Sequence, residues 1–182
     1  MKFLVIYILI SINIHAQAIL SPPFGLQWGD TPDKVLDWAE ELKLNVKVDI
    51  PGNEPEIRII GVSSTTGTLP QHQAHTMETR YQWGKLIEVS LHYGDENANP
   101  EDIKSLFSKL KIALSLKHGS FQPSSKKDER IDGYSHKLIS YHVEPVPGLL
   151  LLIAHTEVED VIRNKKSARF SLIYRNNNVK PN

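Results

Sequence analysis

Two helix starts divide this chain, and short runs of alternating residues follow each of them. At the first, Asp30 or Thr31 can cap a helix whose opening residue is Pro32. At the second, Asn99 caps a helix that begins at Pro100. Apolar residues then recur every three or four positions in both segments, as on one face of a helix. The sequence therefore predicts two amphipathic helices.

The segments between the helices alternate apolar and polar residues, which is typical of strands. Residues 45–50 predict a half-buried strand, and residues 57–62 predict a second. Residues 76–82 and 86–93 predict a hairpin around Trp83-Gly84. Two registers are possible for this hairpin. The first pairs Gln82 with Lys85.

The second register is shifted by one residue and places Arg80 opposite Glu88 and Met77 opposite Leu91. We favour it because it gathers the apolar side chains on one face, whereas a slip by one residue exchanges the two faces. This apolar face has six members: Met77, Tyr81, Ile87, Val89, Leu91 and Tyr93.

The segment after the second helix begins with residues 120–133, which we interpret as a long polar loop. Residues 134–143 and 149–156 predict a second hairpin, and residues 168–175 predict the last strand, followed by a polar tail over 176–182. Strands joined as hairpins are antiparallel. The order of elements thus predicts an α+β fold: an antiparallel sheet of hairpins with two helices packed on one face.

The first 18 residues have the features of a cleavable signal peptide. Lys2 precedes an apolar run that is shorter than the roughly 20 residues of a spanning helix, and Ala16-Gln17-Ala18 matches a signal-peptidase site. Cleavage after Ala18 would leave one domain over residues 19–175 and no stable membrane anchor. We expect the protein to be periplasmic or secreted.

Composition excludes several kinds of chemistry. The 182 residues include no cysteine, so disulfides, thiolate metal sites and cysteine nucleophiles are excluded. The formal net charge is zero, and loss of Lys2 leaves 21 − 1 = 20 basic against 21 acidic residues. A neutral domain has little long-range attraction for a polyanion, so we expect no nucleic-acid partner.

Catalytic motifs are scarce in this sequence. His72 and His75 lie three residues apart, but the glutamate of a helical zinc-hydrolase motif is lacking. The sequence has neither a Gly-x-Ser-x-Gly turn nor a glycine-rich phosphate loop. We therefore expect no catalytic residue, metal or cofactor. A hydrolase that uses histidines remains an open alternative, if His75 and His92 converge with an acid in a cleft.

Loops carried on a rigid scaffold often bind partners, and residues 120–133 form the longest predicted loop. Trp28, Trp83 and Tyr134 lie beside predicted turns, where aromatic anchors for a partner, or residues that close the core, are found. The candidate partner-binding residues are Phe121, Lys126, Lys127, Asp128, Glu129, Arg130 and Tyr134.

Residues 24–35 have the sequence FGLQWGDTPDKV, a short strand ending in Trp-Gly and then a capped helix. This opening resembles that of many small periplasmic proteins. The order of elements over residues 24–175 is similar to that of the beta-lactamase inhibitory protein and BamE-like families. The chain lacks the lipid-bearing cysteine of BamE-type lipoproteins.

The resemblance implies a non-catalytic protein that presents a sheet face or loops to a protein partner. Our first hypothesis is a periplasmic inhibitor or immunity protein that neutralises a toxin or hydrolase, with residues 120–133 occluding its active site. The second is a periplasmic ligand-binding or envelope-associated module. The third is the histidine-dependent hydrolase.

Overall fold

The computed structural model describes residues 20–95 and 97–180. The expected signal peptide and its cleavage site lie outside the described residues. In chain order the elements are α1 (Pro32–Glu41), β1 (Asn45–Asp49), β2 (Ile57–Ser63), β3 (Thr76–Gln82), β4 (Lys85–Tyr93), α2 (Pro100–His118), β5 (Gln122–Ile131), β6 (Tyr134–Val146), β7 (Leu149–Asp160) and β8 (Lys165–Asn176). The fold is mixed α and β and is dominated by its sheet.

The strands form one eight-stranded sheet in the order β1-β2-β3-β4-β8-β7-β6-β5, and every neighbouring pair is antiparallel. The order divides the molecule into two halves, each of which is one helix followed by four strands that pair in succession. The last strands of the two halves, β4 and β8, pair at the centre. The first strands, β1 and β5, are therefore the two free edges.

The two helix starts differ in how they are capped. The Asn99 side chain accepts a hydrogen bond from the backbone N–H of Glu101 at 2.9 Å, as predicted for α2. Thr31 is the N-cap of α1 but makes no side-chain capping bond. Asp30 instead accepts a hydrogen bond from the backbone N–H of Gln27 at 2.7 Å, which fixes the turn before the helix.

Aromatic rings pack α2 onto one face of the sheet, which we call the α2 face. Phe107 of α2 has its ring centroid 5.0 Å from His155 on β7 and 5.7 Å from Phe170 on β8. Phe170 stacks on Tyr93 of β4, with centroids 4.3 Å apart. Because Tyr93 and Phe170 are a cross-strand pair, these rings join the two halves in one core.

The β3–β4 hairpin contains both of the registers that the sequence allows. Next to the turn, Gln82 pairs with Lys85; beyond a β-bulge at Arg80/Tyr81, Arg80 pairs with Glu88. The bulge leaves Ile87 without a partner residue. As a consequence Leu86 is fully buried and Ile87 only half-buried, so the prediction that Ile87 lies on the buried face was wrong.

Two segments differ from the sequence interpretation because they lie at the edges of the sheet. Residues 120–133 are not a loop: β5 runs from Gln122 to Ile131 and pairs with β6. An edge strand with solvent on both faces needs no apolar alternation, so its charged sequence concealed it. β1 is a strand as predicted, but all five of its residues are exposed instead of half-buried.

The last described residues are held by the β6–β7 turn. The backbone N–H of Asn177 donates to the carbonyl of Gly148 at 2.8 Å, and Asn178 Nδ2 donates to the carbonyl of Pro147 at 2.8 Å. The polar tail is therefore attached to the sheet at its beginning. No helix within the described residues is long and apolar enough to cross a bilayer.

Candidate interaction surface

Alternate positions along the strands point away from the α2 face, and we call the surface they form the opposite face. Its centre is apolar. Leu150 and Leu152 on β7 and Ile173 on β8 lie there, and Leu152 pairs with Ile173 across the two strands. All three are only partly buried, unlike their neighbours Leu151, Ile153 and Leu172 on the α2 face.

Polar and ionisable residues surround this apolar centre. On one side lie Glu78, Glu88, Ser90, His92, Ser171 and Arg175, and on the other side lie Ser140 and His142. Ser90 is 6 % exposed and Ser140 is 7 % exposed, so larger neighbouring side chains cover these two serines. An apolar centre with a polar rim is the usual anatomy of a protein–protein interface.

One ion pair on the opposite face joins the two halves of the molecule. Arg175 Nε on β8 donates to Glu88 Oε2 on β4 at 2.6 Å, and these residues are cross-strand partners. The Glu88 side chain is only 16 % exposed, while that of Arg175 is 47 % exposed. The carboxylate is thus sheltered and held in place, and the guanidinium presents its outer side to solvent.

A serine, a histidine and a glutamate lie in line on the same face. Ser171 Oγ and His92 Nδ1 are hydrogen-bonded at 2.8 Å, and His92 Nε2 lies 3.7 Å from Glu78 Oε2. This order of groups is that of a nucleophile, a base and an orienting acid. Ser171, however, lies within a strand paired on both sides, so the backbone N–H groups around it are used by the sheet and do not point at a developing oxyanion.

The predicted partner-binding residues do not form one surface. The period of two along β5 places Lys126, Asp128 and Arg130 on the α2 face, while Lys127 and Glu129 extend the opposite face. Tyr134 also lies on the opposite face, at the start of β6, and is 41 % exposed. The remaining predicted residue, Phe121, packs against the core.

Tyr134 belongs to a surface that the sequence interpretation missed, at the tips of the β5–β6 and β7–β8 hairpins. The backbone N–H of Val161 donates to the carbonyl of Gly133 at 3.0 Å, which joins the two tips. Ile131, Val161 and Ile162 are 55, 45 and 84 % exposed there. Apolar residues in the polar segment 159–166 are the sequence signal that could have revealed it.

The two tryptophans beside turns have different surroundings. Trp28 packs against the core, and its indole Nε1 donates to the carbonyl of Leu20 at 2.8 Å. Trp83 is 59 % exposed in the β3–β4 turn, where Trp83 and Gly84 both have positive φ, as a tight two-residue hairpin turn demands. Trp83 therefore remains available to a partner.

The histidines singled out from the sequence do not converge. His72 lies between the rings of Phe24 and Tyr93, and burial lowers its pKa. His75 Nδ1 lies 3.9 Å from Asp95, whereas His92 faces Glu78. Within residues 20–95 and 97–180 no group of three His, Asp or Glu side chains is arranged to hold a metal ion.

Comparisons with family models, curated proteins and solved structures found no match to this chain. Its function must therefore be inferred from its own surfaces.

Proposed function

We propose that this chain is an exported, non-catalytic binding protein of the periplasm, an inhibitor or immunity protein that neutralises a toxin or hydrolase by covering its active site. The opposite face carries the proposal. It combines an apolar centre at Leu150, Leu152 and Ile173 with a rim of carboxylate, imidazole and guanidinium groups.

The proposal requires that both helices pack on the α2 face. A series of ring contacts from α1 to the sheet supports this. The ring centroid of Trp38 on α1 lies 4.9 Å from that of Phe24, and the centroid of Phe24 lies 5.3 Å from that of His72. The His72 centroid in turn lies 5.7 Å from that of Tyr93, which is on the α2 face. Val35 and Ala39 of α1 also belong to the same core cluster as Phe107 of α2. Helices confined to one face leave the other for a partner.

The shape and chemistry of the opposite face favour a protein over a small molecule. Small ligands bind in concave sites that bury most of their surface, but the two cavities at one end of this face, both lined by Val158 and Ser167, do not include the apolar centre. Its fixed Glu88–Arg175 pair and its half-buried leucines resemble the charged rim and apolar anchors of standard-size interfaces. The partner would then be occluded by a broad surface.

The structure changes how occlusion would work. With residues 122–131 paired in the sheet, they cannot enter an active site as a free loop. The segments at the margin of the opposite face that can reach into a cleft are the joined hairpin tips, with Tyr134 and Ile162 exposed. We propose that the opposite face seats the partner and that the tips contact the entrance of its active site.

The test is capture with the mature chain from Ile19 as bait, in envelope extracts and in extracts that express the neighbouring gene. We expect a single stoichiometric partner that loses its activity when bound. Leu152→Lys and Ile173→Lys should abolish capture because each places a charge in the apolar centre. Leu116→Lys is the matched control, since Leu116 is 86 % exposed on α2.

Equal capture by all three variants, each folded by circular dichroism, would move the contact surface away from the opposite face. If a folded wild-type bait captures nothing, a ligand-binding or envelope-associated module becomes the better explanation, and metals and metabolites should be screened.

A hydrolase is the second candidate, and it rests on the line of Ser171, His92 and Glu78. Ser171→Ala removes the only nucleophile of that group and should abolish ester or amide hydrolysis if this candidate is right. Hydrolysis that is absent from the wild type, or unchanged in the variant, would leave the inhibitor proposal as the explanation.

A further inference from the structure

The free edge strand β1 exposes apolar side chains. β1 pairs with β2 on one side only, so half of its backbone N–H and C=O groups are open to a further strand. Val46, Val48 and the following Ile50 are 41, 50 and 53 % exposed. Leu42, at the end of α1, is 41 % exposed. An edge strand with exposed apolar side chains and open backbone groups is a template for strand addition.

We infer that β1 pairs with β1 of a second copy of this chain, antiparallel and centred on Val48. In that register Val48 lies opposite Val48 of the second copy. Val46 lies opposite Ile50 of the second copy, and Lys47 lies opposite Asp49 of the second copy. Each apolar residue thus meets an apolar residue, and each charge meets its opposite.

The charges select this register over its neighbours. In an antiparallel pair, two directly opposed residues either both direct their backbone groups towards the partner strand or both direct them away. When the two strands are identical, the numbers of two opposed residues must therefore add up to an even number. The sum is 96 in the proposed register, and the neighbouring registers have sums of 94 and 98. The next register on one side opposes Lys47 to Lys47, and the next on the other side opposes Asp49 to Asp49. Like charges directly opposed destabilise strand pairing.

Lys47 and Asp49 are also free to make these contacts. Neither forms an ion pair within the part of the chain that the structure describes. Alternation places both on the same face of β1, so two Lys47–Asp49 pairs would form on one side of the seam. The valines would close the seam on the other side.

The edge at β5 does not share these properties. It carries five consecutive charged side chains, residues 126–130, distributed over both faces, and Pro123 interrupts its donors. Natural sheets protect their edges with charges and proline in this way. Self-association is therefore expected at one edge only, which gives a closed dimer and no fibre.

Sedimentation of the mature chain tests the dimer through two charge variants. Lys47→Asp and Asp49→Lys each oppose like charges in a homodimer, and we expect each to weaken dimerisation at least about tenfold. A one-to-one mixture of the two variants restores both opposite-charge pairs, so the mixture should dimerise like the wild type. Lys126→Asp, on the other edge, should leave the dissociation constant unchanged.

Cysteine cross-linking tests the register, because the natural chain has no cysteine. Val48→Cys places two thiols directly opposite and should give a disulfide-linked dimer under a mild oxidant. Val46→Cys is the matched control: its two thiols would be four residues apart along the strands, about 13 Å, and should not be linked. A wild type that stays monomeric at several hundred micromolar, a mixture no better than its components, or equal cross-linking at both positions would overturn the inference.

Discussion

The two halves of the molecule follow the same path of one helix and four strands, but they are built at different scales. The helix has 10 residues in the first half and 19 in the second. The edge strand has five residues in the first half and ten in the second. The two halves therefore share a topology but present different surfaces, because their helices and edge strands differ in length and their edge strands differ in composition.

The difference is greatest at the two edges. β1 exposes valines and only one charge of each sign, whereas β5 carries charges at residues 126–130. Charged side chains protect edge strands from pairing, and β5 has five of them where β1 has two. The proposed dimer therefore uses the β1 edge, and the charges of β5 account for the absence of pairing at the other edge in that proposal.

The largest expected effect is at the seam between the halves. Phe170 is 1 % exposed, stacks on Tyr93 and lies edge-on to Phe107. Phe170→Ala should lower the free energy of unfolding by about 3–5 kcal/mol, measured by urea denaturation. Two resolved transitions would show that the halves unfold separately, whereas a single shifted transition would show one cooperative unit.

The next effect concerns the β3–β4 hairpin of the first half and its counterpart in the second half, the β7–β8 hairpin. The β3–β4 hairpin contains a bulge, while the β7–β8 pairing has no register shift. Because the bulge buries Leu86 fully and leaves Ile87 half-buried, Leu86→Ala should cost about 2–5 kcal/mol and Ile87→Ala about 1 kcal/mol. A larger loss of stability for Ile87→Ala than for Leu86→Ala would show that Ile87 lies on the buried face, as in the register without a bulge. Both values come from urea midpoints at constant m.

The third prediction concerns the pH dependence of stability through His155, which lies in the core of the second half. Burial lowers the pKa of His155, which lies against Phe107, although Glu157 acts in the opposite direction. The folded state therefore favours the neutral ring. The free energy of unfolding has its full value above pH 6.5, and it falls below that pH because the unfolded state then binds a proton more readily. His155→Leu should remove part of this acid-dependent loss, in urea melts between pH 7.5 and about 4.5.

His72 keeps a share of the acid-dependent loss in that variant, since burial lowers its pKa as well. His136→Leu is the control, because His136 is exposed on β6. An unchanged pH profile in His155→Leu would mean that the ring under α2 is as accessible to protons in the folded protein as in the unfolded one.

The smallest expected effect on stability comes from exchanging the character of the β5 edge. Lys126→Val together with Asp128→Val leaves only exposed positions altered, so the free energy of unfolding should change by less than about 0.5 kcal/mol. Light scattering should nevertheless show self-association that the wild-type edge prevents. If the variant scatters like the wild type at equal concentration, charge is not what protects β5.

Local signals in the sequence predicted the elements in which burial leaves a pattern. Asn99-Pro100 marked α2, and alternation marked β8, where Ala168, Phe170 and Leu172 are buried on one side. β5 was missed because a strand with solvent on both faces has no such pattern. The burial of β1 was overestimated, since valine alternation does not show whether anything covers the strand.

The candidate site could be predicted less well than the fold. The opposite face depends on β4 pairing with β8, and nothing local in either strand specifies a partner so far along the chain. His92 and Ser171 are ordinary strand residues until that pairing brings them together. The hydrogen bond that joins the two hairpin tips is likewise a contact between turns that are separate in sequence.

The central β4–β8 pair also determines how late in synthesis the sheet can be completed. Tyr93 meets Phe170 across a segment of roughly 80 residues, the kind of distant contact that slows folding. Until β8 has been synthesised, β4 lacks its partner strand on one side, and Tyr93 lacks the ring of Phe170. Because Phe170 is synthesised long after Tyr93, we expect the pairing of β4 with β8 to be a late step in folding.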